Sequence, residues 1–383
     1  MTPIAWAMLA LLLLTLATGI DVALGARKLR AAGGLPAWEG RTAPLVSVIV
    51  PARNEAAGVE RAVRSMLAQD YPAVEFVAVD DRSEDDTGPI LDRLAARERR
   101  LTVVHVDALP PGWIGKNHAL ALGAAQARGE WLLFADADVV LRPDALGRVV
   151  RYAAEEGFDH VAMLPKITMP GLLLEAFVTG FAISFFGFVR PWKARDPKSR
   201  VFVGIGAFNL VRAETYRQAG GHRPIALRPD DDLMLGKLLK KHGARQDFVT
   251  GEEVATVAWY GSVGELARGL EKNAFAAFQY RVLFALPAIL FHLTLGLGPL
   301  LGLVLLRGLP QLFAGVAVAW SLLLYGATAA RSGHRRLTAL LYPVVVVMFD
   351  YIAFRAMVLN LWHGGIRWRG TFYSLRDLRG NRI

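Results

Sequence analysis

The sequence predicts an α/β domain built on a mostly parallel sheet, with transmembrane α-helices at both ends of the chain. Three observations carry that prediction. The chain has 383 residues, 54% hydrophobic and only 20% charged, against roughly 45–50% apolar residues in ordinary soluble domains. The apolar excess is gathered into long uncharged stretches near the two ends. Between them, short β-branched runs alternate with helix-length stretches, the pattern of strands joined by crossover helices.

Four apolar stretches stand out. The first runs from Pro3 through Ile20 and past Asp21 to Gly25; the others are Val282 to Leu306, Gly308 to Ala330 and Leu337 to Trp362. A helix needs about 20 apolar residues to cross a bilayer, and the middle two meet that length without a charge. The first lacks the basic start and small-residue cleavage site of a signal peptide, so a retained anchor over residues 1–26 is expected. The fourth carries Asp350 and Arg355, which are costly in lipid unless buried in protein; it reads as a third span or a re-entrant segment within 282–363. Basic residues follow the first span at Arg27, Lys28, Arg30 and Arg41, and the third at Arg331, Arg335 and Arg336. That bias places the middle of the chain on the cytoplasmic side of a cell (inner) membrane. The basic tail, 364–383, also suits the cytoplasm, which conflicts with a full fourth span.

Composition narrows the chemistry. The absence of cysteine excludes disulfides, thiolate metal sites and a cysteine nucleophile. A net charge of +10 calls for an anionic partner, but much of it flanks apolar spans, where it answers anionic lipid rather than nucleic acid.

Within residues 44–265, strands are expected at Val46–Val50, Val74–Val79, Leu101–Val106 and Trp131–Ala135, and helices at Gly58–Ala68, Pro89–Arg99 and Lys116–Ala127. Ligands of parallel sheets bind beyond the carboxyl ends of the strands. The residues there are Pro51-Ala52-Arg53-Asn54-Glu55, then Asp80-Asp81-Arg82-Ser83 running on to Thr87, then Asp136-Ala137-Asp138. Alternate residues of an extended chain share a side, so Asp136 and Asp138 can face one ion. Mg²⁺ or Mn²⁺ takes one or two carboxylates and completes its shell with water and phosphate oxygens, the donor set of a nucleotide diphosphate. An isolated pair of this kind is ordinarily a solvated turn; a strand end beside two other acidic loops argues for the ion.

Asp230-Asp231-Asp232 precedes a helix expected over Leu233–His242. Carboxylates there suit N-capping, although one is enough for a cap, and an acid in a partly closed site is held near a base-competent pKa. Lys116 opens a helix after Gly112-Trp113-Ile114-Gly115, a setting that suits a phosphate, without the glycine and Ser/Thr of a P-loop. Gly204-Ile205-Gly206 has Asn209 where a dinucleotide fingerprint has its third glycine. Gly171 to Val189 is apolar and aromatic and ends in Arg190-Pro191-Trp192-Lys193; a buried core helix and a membrane-surface helix fit it equally. An interfacial helix is expected over 266–281.

These motifs, in this order and spacing over about 44–280, resemble family 2 glycosyltransferases of the GT-A (Rossmann-like) fold. Pro110-Pro111-Gly112-Trp113-Ile114-Gly115-Lys116, Gly269-Leu270-Glu271-Lys272-Asn273 and Trp368-Arg369-Gly370-Thr371-Phe372-Tyr373 are similar to membrane-anchored lipid glycosyltransferases of hopanoid and carotenoid pathways. The layout also resembles ceramide glucosyltransferases. The resemblance implies a nucleotide-sugar donor, a UDP-sugar by preference, and a lipid acceptor. It implies donor contacts at Pro51, Ala52, Arg53, Glu55, Asp80, Asp81, Ser83, Lys116, Asp136 and Ala137, and a Mg²⁺ or Mn²⁺ site at Asp136 and Asp138. Asp232 becomes the general base, with Asp231 as its alternative because Asp230 blurs the register. Arg82 stands where the family commonly has glycine. The Q-x-x-R-W signature of processive synthases is missing, with only Gln279-Tyr280-Arg281 near its place, so a single, inverting transfer is expected over polymer synthesis. A catalytically silent nucleotide-sugar-binding scaffold is the non-enzyme alternative.

Overall fold

The computed structural model describes residues 1–40 and 42–383; Arg41, counted above among the basic residues after the first span, lies outside them. The chain divides into two compact units. One comprises Leu29–Ile167, Pro191–Ala258 and Gly380–Ile383, and the other Met1–Lys28, Thr168–Arg190 and Trp259–Arg379.

The first unit is built on a nine-stranded sheet. Its strands are β1 (Arg30–Ala31), β2 (Val46–Ala52), β3 (Val74–Asp81), β4 (Leu101–Val106), β5 (Trp131–Phe134), β6 (Val140–Leu141), β7 (His160–Thr168), β8 (Asn209–Arg212) and β9 (Gln246–Ala258). The order is β1-β9-β7-β8-β5-β2-β3-β4, with β6 paired to β9. β5, β2, β3 and β4 are mutually parallel, while β8 runs antiparallel to β5 and β7. Alternation sends Val48, Val50 and Leu133 to one face, against Val59, Val63 and Met66 of helix Val59–Leu67 and against helix Ala145–Glu156. It sends Ile49, Leu132 and Phe134 to the other, against Leu120 of helix Gly115–Gln126 and Leu235 and Leu239 of helix Asp231–Lys241. Both faces are therefore covered, which is why the strands read as continuous apolar runs. This is the GT-A arrangement expected from the sequence.

The second unit is helical. Among the described residues, five helices are long and apolar enough to cross a membrane: Pro3–Ala26, Gly171–Lys193, Val282–Leu305, Leu309–Arg331 and Arg336–Trp362. The stretch from Gly171, read from sequence as either a core helix or a membrane-surface helix, packs with the other apolar helices. Small residues let these helices approach closely. A Cβ on Gly19 would lie 2.3 Å from Trp320 Nε1, and one on Gly180 would lie 2.2 Å from the Tyr325 hydroxyl. The two ionisable groups of the last helix are each partnered from another element. Asp350 meets His292 Nδ1 at 2.9 Å, and Arg355 pairs with Glu271. Where an interfacial helix was expected over 266–281, an α-helix spans Val263–Ala274, its first turn capped by the Ser262 hydroxyl, and a short 3-10 turn follows at Ala276–Phe278. A hairpin, Gly365–Trp368 with Thr371–Ser374, closes the unit.

Candidate active site

The parallel strands end together. β2 and β3 are in register from Val46↔Val74 to Ala52↔Asp80, so the loops that follow them meet. Asn54 turns there in the left-handed region, φ 53°. Its main-chain N–H donates to the Ser83 hydroxyl at 3.1 Å, and its side-chain oxygen accepts from the Glu84 N–H at 2.8 Å. The Glu55 N–H donates to the Thr87 hydroxyl at 2.8 Å.

Asp80 and Asp81 are buried and held differently. Asp80 accepts from the Ser83 N–H at 3.2 Å and from His105 Nδ1 at 3.1 Å, while His105 Nε2 meets Asp92 at 3.0 Å. Asp81 receives Arg82 Nε at 2.8 Å and has Arg53 at 3.9 Å. Arg82 adopts φ 57°, a left-handed conformation at the position where the family commonly has glycine; its guanidinium folds back on Asp81. Gly115 faces the same carboxylate, and a Cβ there would sit 2.2 Å from Asp81 Oδ2.

Beyond β5, Asp136 and Asp138 emerge from the core. Lys116 Nζ lies 2.9 Å from Asp136 and 3.4 Å from Asp231. Burial acts to lower the Lys116 pKa, but Asp136, Asp231 and Asp232 outweigh it and hold the ammonium charged. Asp138 is pushed up to about 7 by burial, with repulsion from Asp136 and Glu55 adding to it. No cationic side chain lies within ion-pair distance of Asp138 among the described residues.

The three consecutive acids separate cleanly. Asp230 is held by both arms of Arg228 at 2.8 and 2.7 Å and makes no side-chain cap. Asp231 turns to Lys116. Asp232 accepts from the Gly206 N–H at 2.7 Å and the Leu233 N–H at 2.8 Å. Its pKa is raised, chiefly by burial and further by Asp136, with Lys116 and the two N–H groups pulling the other way. Lys116, Asp136, Asp231, Asp232, Gly206 and His222 border a cavity of about 10 Å³, enough for one water.

Several of these partners were not singled out from sequence. Gly204 and Gly206, set aside above as a failed dinucleotide fingerprint, allow the two acid groups to come together. A Cβ on Gly206 would lie 2.7 Å from Asp136 Oδ2, and one on Gly204 1.9 Å from the Asp232 carbonyl oxygen. The buried Asn117 amide donates to the carbonyls of Ile225, Ala226 and Arg228 at 2.8, 3.2 and 2.9 Å. Asn381, in the basic tail, accepts from the Leu227 N–H at 3.1 Å and donates to the Pro224 carbonyl at 2.9 Å. Two asparagines thus fix the turn that delivers Asp230–Asp232. The glycine spacing was a signal available in the sequence; the two asparagine contacts, spanning more than a hundred residues each, were not.

The family model for Glycosyl transferase family 2 matches residues 47–215, the span that holds these strands and loops. Residues 47–215 thus match a family 2 glycosyltransferase domain. The 4,4'-diaponeurosporenoate glycosyltransferase of Staphylococcus haemolyticus (strain JCSC1435) is 36% identical to this chain over 204 residues, 53% of either chain, so that match spans about half of the relative. Its counterpart in Staphylococcus aureus (strain USA300) is 24% identical over 339 residues, 86% of this chain and 88% of the other. Among solved structures, a mannosyltransferase from Pyrobaculum calidifontis, 22% identical, covers 93% of this chain and 99% of its own with a TM-score of 0.53; the likeness is one of fold.

The fit of a divalent cation is judged from the acids themselves. Among the described residues no three His, Asp or Glu side chains converge into a closed metal cage. The Asp136–Asp138 pair is the smaller donor set that Mg²⁺ and Mn²⁺ accept when phosphate and water supply the rest. Asp138, half-buried and repelled by two neighbouring carboxylates, gains most from a nearby positive charge. The donor set fits such an ion.

Proposed function

We propose that this glycosyltransferase moves one sugar from a nucleotide-sugar donor, a UDP-sugar by preference, to the hydroxyl of a membrane lipid, with inversion at the anomeric carbon. The observation that carries the reading is the convergence of Lys116, Asp136, Asp231 and Asp232 beside the loops after β2 and β3. The donor's nucleoside is assigned to Pro51, Ala52, Arg53, Glu55, Asp80, Asp81 and Ser83, and its diphosphate and sugar to Lys116, Asp136 and Ala137. Asp136 and Asp138 are the residues that would hold Mg²⁺ or Mn²⁺, which when bound neutralises charge on the departing diphosphate. The Pyrobaculum mannosyltransferase is described in complex with GDP-Man and Mn²⁺, a donor and ion of the same classes.

Asp232 is the general base. Burial raises its affinity for a proton, and the two N–H groups fix its carboxylate while leaving each oxygen a second lone pair for the acceptor O–H. Asp231, committed to Lys116, is the less suited of the two. Lys116 holds Asp136 in place and sets a positive charge where the donor's phosphates are assigned. Attack from the face opposite the leaving group is a single displacement and inverts the carbon.

A lipid acceptor is supported by the five apolar helices and by the relatives' names, which refer to 4,4'-diaponeurosporenoate, a carboxylate; the names favour a carotenoid-type lipid as the acceptor class, while the hydroxyl as the attacking group rests on Asp232 as base. The domain is assigned to the cytoplasmic face. Nucleoside diphosphate release is the test, measured across UDP- and GDP-sugars with Mn²⁺, Mg²⁺ or EDTA and with membrane lipid present or absent. Release that needs both a divalent ion and lipid is expected. Metal-dependent nucleotide binding without release from any donor would favour the silent scaffold.

A further inference from the structure

The sheet unit is assembled from three separate stretches of chain, Leu29–Ile167, Pro191–Ala258 and Gly380–Ile383. The last is tied in by Asn381, bonded to the Pro224 carbonyl and the Leu227 N–H, and by Ile383, which packs against the core cluster that includes Leu235 and Leu239. A bilayer core admits only helices and closed barrels, so an open sheet with its loops stands wholly on one side. Each excursion of the chain from it therefore crosses the membrane an even number of times. The excursion 168–190 contains one long apolar helix, Gly171–Val189, which accordingly makes no crossing. The excursion 259–379 contains three, Val282–Leu305, Leu309–Arg331 and Tyr342–Trp362, of which at most two cross.

Contacts inside the helical unit lead to the same count. Arg331 Nη2 donates to the Ala26 carbonyl at 3.0 Å, so the helices Pro3–Ala26 and Leu309–Arg331 end side by side. Arg190, just past one end of the Gly171 helix, pairs with Asp21 at 2.8 Å; Glu175, near the other end, pairs with Arg335 at 2.9 Å. Both ends of a 19-residue helix, about 28 Å long, thus meet the same end of its neighbours, which a helix running alongside them cannot do. Gln311 donates to the Leu303 carbonyl at 3.0 Å, closing Val282–Leu305 and Leu309–Arg331 into an antiparallel pair. The start of the one is therefore level with the end of the other. The last apolar helix follows Arg331 after a short turn, and beyond it Arg379 returns to the Tyr280 carbonyl at 2.9 Å, two residues before Val282. It begins and ends on one side.

We propose that Gly171–Val189 and Tyr342–Trp362 lie flat in a single leaflet, on the side that carries the sheet, and that only Pro3–Ala26, Val282–Leu305 and Leu309–Arg331 cross. The partner of this surface is the lipid of that leaflet. Val344, Val347, Tyr351, Phe354, Val358 and Leu361 are exposed at steps of three and four residues, one apolar stripe along the whole helix. Asp350 and Arg355 turn instead to His292 and Glu271. Lying flat, such a stripe sinks about 5–10 Å into the headgroup and acyl boundary. Tyr351 and the 84% exposed Trp362 then both sit at the interface, where these aromatics are enriched. Spanning would put Tyr351, midway along the 21 residues, at the hydrocarbon centre. Arg27, Lys28, Arg331 and Arg336, all exposed, stand at the ends of two crossing helices on that same side, facing anionic headgroups. Three crossings also leave the basic tail and the sheet together, which removes the conflict that a full fourth span creates.

The native chain has no cysteine, so single cysteines in the full chain report without background. Right-side-out and inverted membrane vesicles are treated with a membrane-impermeant maleimide. His363→Cys is expected to label from the same side as Lys198→Cys in the sheet unit, and Arg307→Cys, between the paired helices, from the other. Pro170→Cys and Lys193→Cys, which flank the Gly171 helix, are expected to side with Lys198→Cys. Each preference is expected to be at least tenfold. A spin label on Tyr351→Cys is expected about 5–10 Å below the lipid phosphates. Labelling of His363→Cys from the Arg307 side, Pro170→Cys and Lys193→Cys on opposite sides, or a Tyr351 label about 20 Å deep, at the midplane of a bilayer about 40 Å thick with its headgroups, overturns the proposal. If His363→Cys does not accumulate in the membrane, the neighbouring exposed Trp362→Cys carries the same reading. Sidedness and depth are read without turnover, so either result leaves the transferase reading as it was.

Discussion

Lys116 stands 2.9 Å from Asp136, so the first carboxylate after the central strand is neutralised by a residue that opens the neighbouring helix. The same ammonium reaches Asp231 at 3.4 Å and thereby joins the donor side of the site to the acid triplet. Lys116→Met removes the positive charge that Asp136 and Asp231 share. A loss of about 3 kcal/mol of stability is expected, as for breaking a partly buried pair, together with a fall in kcat/KM of about 10²-fold or more. Lys116→Arg is expected not to restore activity, because the space bordered by Lys116, Asp136 and Asp231 is only about 10 Å³, too little for the larger guanidinium. Thermal melting and donor turnover read the two effects separately.

Gly206 tests the same geometry from the backbone. A Cβ there meets Asp136 Oδ2 at 2.7 Å and Lys116 Nζ at 3.3 Å, so Gly206→Ala must displace the pair. Misplacement on the scale of an ångström costs about 10²-fold in rate. Turnover is expected to fall by that order while the melting temperature changes little. Unchanged turnover would show that the pair has room to move without consequence.

Much of this site was legible in sequence because its acids follow buried strands. β2, β3 and β5 are read from continuous apolar runs, and parallel pairing brings their carboxyl ends to one edge. What joins the acids was not legible. His105 reaches Asp80 only because β3 and β4 pair Asp80 with His105, and Asn117 and Asn381 act through folds of the chain that spacing does not encode. Gly204 and Gly206 were visible but matched the wrong template. The helix from Gly171 was ambiguous because hydropathy is the same in a protein core and in a membrane; its partners, not its composition, settled where it packs.

Asp138 gives a pH dependence whose sign is fixed. Its folded pKa, about 7, lies above its ordinary value, so the folded state binds the extra proton. Stability from this group is complete at low pH and is lost as pH rises from about 4 through 7. A divalent cation needs the ionised form. Mn²⁺ affinity, followed by calorimetry, is expected to climb up to tenfold per pH unit below 7 and to level off above it. Asp138→Asn is expected to remove the slope along with most of the affinity.

His105 predicts an effect on donor binding alone. Its pKa is raised, first by Asp92 and then by Asp80, against the opposing pull of burial. The protonated ring therefore supports Asp80 at low pH, and that support fades as pH rises through the raised value. The donor KM is expected to increase over the same range. His105→Ala should raise KM a few-fold, flatten its pH profile and leave kcat within about twofold. An equal fall in kcat would mean that His105 acts in the chemical step.

Lipid-dependent nucleoside diphosphate release by Asp232→Asn, beside the native protein, tests the central claim most directly. Asparagine keeps the size of the side chain and an oxygen for the Gly206 N–H but removes the proton acceptor. With a hydroxyl lipid as acceptor, release is expected to fall by 10²–10⁴-fold, the range of general-base catalysis, with nucleotide affinity within about threefold of native. Release at the native rate would contradict Asp232 as the base.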